Sequence, residues 1–161
     1  MTTIKNGDEL RSLLRKALEV EVGFESVALW EGYVTAKQDE FREVLFSLIS
    51  DSEGHRRIVE SLLDQVRATG SPSHAPVKPR EVTFRGNDDL EMMTQISKME
   101  MLMYNLYSDI KKAFVASETE SLLNDQSDVE SFLSAIDSLI QDEAKHMEMV
   151  SQYVRNVERL R

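Results

Sequence analysis

Two short stretches of the chain set a lone histidine among acidic residues: Gln141–His146, QDEAKH, and Asp51–His55, DSEGH. In the later one, Glu143 stands three residues before His146; at the same offset before His55 stands Ser52. A spacing of i, i+3 puts two side chains on one face of a helical turn. Glu143 and His146 therefore form a pair of the kind that holds a metal ion, and carboxylate with imidazole suits iron or manganese.

The apolar stripes show which other polar residues turn inward. On the last helical series the stripe passes Phe132, Ile136, Leu139, Glu143, His146 and Val150. On the third it passes Met93, Ile96, Glu100, Met103, Tyr107 and Ile110, and on the first Leu14, Ala17, Glu21, Phe24 and Ala28. On the second it passes Leu45, Leu48, Ser52, His55 and Val59, leaving Glu53 with Arg57 and Glu60 on the wet side. A lone buried Glu is ordinarily an ion-paired core residue, and a lone helix-face His a hydrogen-bonded one. Several carboxylates and two imidazoles in one core are costly unless something compensates them, and bound metal does so economically. The candidate metal ligands are Glu21, His55, Glu100, Glu143 and His146. A Glu from each of two helices with Glu-x-x-His from each of the other two is a di-iron carboxylate arrangement. The methionines, including Met92, Met93 and Met103, read as core and interface filler.

The elements that must position these residues follow from hydrophobic periodicity. All three prolines, Pro72, Pro76 and Pro79, fall in one connection, together with His74, which is expected to be solvated. Four long helices are predicted, at about 8–37, 39–69, 88–116 and 128–160, in one domain spanning 1–161. The last is expected to start at Ser127 as N-cap, with Glu130 three residues on. The fold class is all-α: a four-helix bundle of two antiparallel pairs, about 8–69 and 88–160, joined by a crossover at 70–87 long enough to run the length of the bundle.

Composition narrows the function. The formal net charge of −10 argues against nucleic-acid and anionic-membrane partners, which want a basic face. With no cysteine among 161 residues, disulfides, zinc ribbons, thiol catalysis and iron–sulfur centres are excluded. The opening MTTIKNGDEL has no signal-type apolar core, and no stretch has the length of a membrane span, so a cytoplasmic protein is expected.

The whole pattern resembles the ferritin-like superfamily, most closely its small rubrerythrin-type bundles. In that family each half supplies a Glu, a Tyr seven residues on, and Glu-x-x-His on the next helix. Glu100, Tyr107, Glu143 and His146 match fully; in the first half Glu21 is followed by Ala28 at the tyrosine position, and His55 is preceded by Ser52. Glu25, in VEVGFES, is an alternative to Glu21; Glu21 is preferred because ALEVE aligns with the ISKME that ends at Glu100. The resemblance implies a non-haem di-metal centre, two iron ions or iron with manganese, or a single ion. It implies an oxidoreductase acting on peroxide or dioxygen, or oxidising ferrous ion, with Tyr107 as candidate catalytic residue through a hydrogen bond to a ligand carboxylate. No cysteine-rich electron-transfer domain is present in this sequence, so an external donor would be needed. The alternatives are a metal-binding or stress-related protein without turnover, and a structural bundle that has lost its metal.

Two further expectations follow. Because Ser52 is neutral, Glu100, Glu143 and His146 should bind metal more tightly than Glu21 and His55, unless Asp51, Glu53 or Glu25 supplies the missing carboxylate. A second apolar strip on the first helix, Val22, Leu29, Trp30 and Tyr33, suggests a homodimer surface, or one that the crossover covers.

Overall fold

The computed structural model describes residues 3–24, 27–69, 77–78, 83–84 and 87–159, with the side chains of 27, 28 and 158 set aside. It is a helical bundle: α1 (Gly7–Phe24), α2 (Val27–Thr35), α3 (Asp39–Gln65), α4 (Asp89–Val115) and α5 (Val129–Arg159). No strand occurs among the described residues beyond an isolated bridge between Val66 and Leu123. No helix among them is long and apolar enough to cross a membrane. Glu25, His74 and the three prolines lie outside the described residues.

Local chemistry sets the helix starts. The Asn6 side chain accepts from the Glu9 amide at 3.0 Å while the Glu9 carboxylate accepts from the Lys5 amide at 2.8 Å, closing the first turn of α1. Asp88 and Glu91 form a reciprocal capping box at the start of α4. Gln38 offers α3 no side-chain cap; instead the Asp89 carboxylate, from α4, accepts from the amides of Lys37 and Gln38 at 3.1 and 3.0 Å. One buried aspartate thus ties the α2–α3 turn to the first turn of α4.

Several expected boundaries move. The expected first helix of 8–37 is described as α1 and α2, with residues 25 and 26 between them outside the described residues, and it ends at Thr35, two residues early. The second ends at Gln65, four residues early, because the chain turns extended at Val66. Its backbone there pairs with the segment before α5: the Arg67 amide donates to the Leu122 carbonyl, and the Asn124 amide to the Gln65 carbonyl, both at 2.8 Å. Ser127 does not cap α5. It lies in a 3-10 turn, Gln126–Asp128, that runs directly into α5 and is capped by the Asp125 carboxylate accepting from the Ser127 amide. The Asp125 carboxylate, two residues upstream, takes the capping role expected of the serine.

Packing places α1 against α3 and α4, α3 and α4 each against α5, and α2 against α3. The start of α1 meets the end of α3, where Arg11 donates to the Leu63 carbonyl at 2.8 Å. The core is apolar towards both ends and polar in the middle. At one end Phe114 stacks on Phe132 with ring centres 4.5 Å apart; towards the other Phe41 lies 5.6 Å from Tyr153. Each fully buried aromatic of this kind stabilises by about 3–5 kcal/mol relative to alanine. Between these layers lie the inward-facing carboxylates and imidazoles.

Candidate metal centre

The five sequence-chosen residues converge. Glu21 comes from α1, His55 from α3, Glu100 from α4, and Glu143 and His146 from α5, all with exposures of 1–4%. They form two groups, Glu21–His55–Glu143 and Glu100–Glu143–His146, in each of which the potential ligand atoms lie within 4.8 Å of one another. Glu143 belongs to both. Its Oε1 is 3.1 Å from His55 Nδ1 and its Oε2 is 3.8 Å from His146 Nδ1. Glu100 Oε2 lies 3.1 Å from His146 Nδ1, and Glu21 Oε1 lies 3.6 Å from His55 Nδ1. The two rings face each other at 5.5 Å.

Packing adds a carboxylate to the first half. Counting each helix pair alone left the first half with one carboxylate. In the folded chain Glu143 serves both, so each group has two carboxylates and one imidazole. Of the other candidates for the missing carboxylate, Glu53 and Asp51 do not enter the groups, and Glu25 lies outside the described residues. Glu53 is exposed and paired with Arg57. Asp51 reaches the outward nitrogen of His146, Nε2, at 3.1 Å.

Tyr107 is fully buried and donates to Glu21 Oε1 at 2.7 Å. The hydrogen bond crosses from one half to the other, holding a carboxylate of α1 from α4. Asp142 was not singled out from the sequence. Its carboxylate lies 3.7 Å from His55 Nε2 and pairs with Lys145 at 2.6 Å. The signal was present, since an aspartate stands four residues before both His55 and His146, and each contacts the histidine of the other helix. A carboxylate at Nε2 favours a proton there and leaves Nδ1 for the interior.

The electrostatics are those of a site short of positive charge. Burial drives both imidazoles towards neutrality, but the carboxylates of Glu143 and Glu21 outweigh it at His55, raising it to about 10. Glu100, Glu143 and Asp51 do the same at His146, to about 11. Burial raises Glu21, and lifts Glu100 to about 8 despite His146 beside it. Burial also opposes ionisation of Glu143, yet His146 and His55 hold it down at about 2. Burial pushes the Tyr107 hydroxyl well above its ordinary value, so it remains a donor.

Protons thus supply cations that a metal ion could replace. One atom tests the fit directly. His55 Nδ1 is buried without a hydrogen-bond partner, its approach to Glu143 being an ion-pair contact that lacks hydrogen-bond geometry. An orphaned imidazole nitrogen aimed at two carboxylates suits a ligand atom. These buried Glu and His groups could hold a metal ion. No protein-family model, curated protein or solved structure matches the chain.

Proposed function

We propose that the chain is a ferritin-like di-metal carboxylate protein that binds iron, or iron and manganese, and acts as an oxidoreductase on peroxide or dioxygen or on ferrous ion. The observation that carries this reading is Glu143, buried at the centre with one oxygen towards each imidazole. Bridging carboxylates of this kind are what two-ion centres in bundle cores require. The order of contacts supports the matching topology. Arg11 meets Leu63 and Glu21 meets His55; Lys111 meets Asp137 and Glu100 meets His146. Both successions fit two antiparallel pairs, α1 with α3 and α4 with α5, joined by a crossover.

Redox-active ions held there would supply one-electron chemistry towards peroxide or dioxygen. The chain's own residues would do the rest. Glu21, His55, Glu100, Glu143 and His146 would hold the ions, Tyr107 would fix Glu21, and burial would keep bulk water away. Asp51 and Asp142 would orient the imidazoles from outside. These 161 residues carry no cysteine for a thiolate-bound electron relay, so electrons would reach the centre from outside the bundle.

The test is metal content. Protein purified without chelators should carry up to two ions per chain, and metal-free protein should take up two ferrous ions without oxygen. Re-oxidation of that ferrous iron by peroxide faster than in buffer supports turnover. Binding without accelerated oxidation leaves the metal-binding reading, and no binding leaves a structural bundle.

A further inference from the structure

The site has a local two-fold correspondence with one member missing. Asp51 lies on His146 at 3.1 Å as Asp142 lies on His55 at 3.7 Å. Glu21 flanks His55 as Glu100 flanks His146. In this correspondence the partner of Glu143 is Ser52, which is 4% exposed and one turn before His55 on the buried face of α3. Glu143 spans the two groups with its two oxygens. Ser52 ends in a hydroxyl where that residue continues to a carboxylate, so the α3 side lacks a spanning group.

Charge points the same way. Three interior carboxylates, Glu21, Glu100 and Glu143, face what would be two divalent ions, leaving one positive charge unmatched in a low-dielectric core. The aspartates do not fill this role. Asp142 is paired with Lys145, and Asp51, whose side chain is 52% exposed, sits on the outward nitrogen of His146.

We propose that a small carboxylate from solution, of the size of formate or acetate, completes the centre on the Ser52 side opposite Glu143. This rests on the two-ion reading and names the class of ligand that site takes. A carboxylate reproduces the two-oxygen span of Glu143 and supplies the missing negative charge. Ser52 adds a hydroxyl donor beside it. The burial of the surrounding side chains sets the size limit, since a bulkier acid would have to part α3 from α5.

The experiment titrates chelator-stripped full-length protein with cobalt(II), in chloride and then in formate or acetate at matched ionic strength. The visible spectrum and calorimetry report binding. In the wild type, two cobalt ions should bind, with affinity tightened about tenfold by either carboxylate, within the usual range of coupling between ligands. Ser52→Glu should bind two ions tightly in chloride and gain nothing from formate. Ser52→Ala, which removes the hydroxyl donor and disturbs the fold least, should weaken the response without abolishing it, whereas Glu53→Gln, on the exposed face of α3, should keep it whole. Two bound ions with no carboxylate response in the wild type would overturn this proposal alone, and so would an equal response in Ser52→Glu. No cobalt binding in wild type or Ser52→Glu would overturn the metal reading and this one with it.

Discussion

At the scale of single residues, the site turns on which side chains share protons or ions. Tyr107→Phe removes the donor on Glu21 and leaves a buried acceptor unsatisfied. It should destabilise the metal-free protein by about 1–3 kcal/mol in urea unfolding. The pH dependence has a definite sign. His55 and His146 titrate at about 10 and 11 rather than 6.5, so their contribution to the metal-free fold is complete below 6.5 and is lost as pH rises towards those values. Glu100, raised from 4.5 to about 8, favours its protonated form when folded and adds to the same decline. Glu143, held at about 2, contributes fully above 4.5 and loses that contribution as pH falls towards 2. Thermal melts in chelator should therefore fall steadily above about pH 6.5, whereas metal-loaded protein should hold its melting temperature there, because ions replace the protons. An alkaline decline equal with and without metal would contradict this. Stripe phase was enough to turn all six of these residues inward, since helical periodicity fixes a face. It does not fix what stands across the core, which is why the double role of Glu143, the cross-half bond of Tyr107 and the contact of Asp142 emerge only from packing.

At the scale of elements, the sequence located the long helices by periodicity and missed ends decided by partners distant in sequence. Nothing near Val66 announces that Leu122 and Asn124 will take its neighbours' backbone groups, so α3 was drawn too long. Two glycines separate local preference from tertiary contact. A Cβ at Gly7 would overlap the backbone carbonyl of Arg67, so Gly7→Ala should force α1 away from the end of α3 and cost about 1–3 kcal/mol. A Cβ at Gly54, in the middle of α3, would meet nothing within 4 Å. Gly54→Ala should stabilise by about 0.5–1 kcal/mol through helix preference alone, without changing metal stoichiometry. Chemical denaturation of both variants checks the pair, and equal effects of the same sign would show that the approach of α1 to Arg67 is not tight.

At the scale of the whole molecule, the surface carries an aromatic cluster that the core does not use. The expected strip was partly misread: Leu29 is fully buried, and Val22 packs half-buried against the core. The exposed members are Trp30, 42% accessible, and Phe46 of α3, 54% accessible, with Tyr33 between them. Their ring centres lie 5.8 to 6.4 Å apart. Clustered exposed aromatics of this kind mark association surfaces, and Trp and Tyr are over-represented among residues that dominate binding energy. A second copy would bring the same cluster, so a two-fold interface could be self-complementary. Opposing it is the net charge of −10, which both copies share. Salt screens that repulsion while leaving apolar burial in place, so the dimer should tighten as ionic strength rises from about 0.01 to 0.15 M. Sedimentation at micromolar concentration should therefore find a dimer whose dissociation constant falls with added salt. Phe46→Glu, on the face of α3 away from His55, should weaken association by roughly 2 kcal/mol or more while helicity and metal binding stay unchanged. A clean monomer at both ionic strengths would remove this surface as a dimer contact and leave the centre itself untouched.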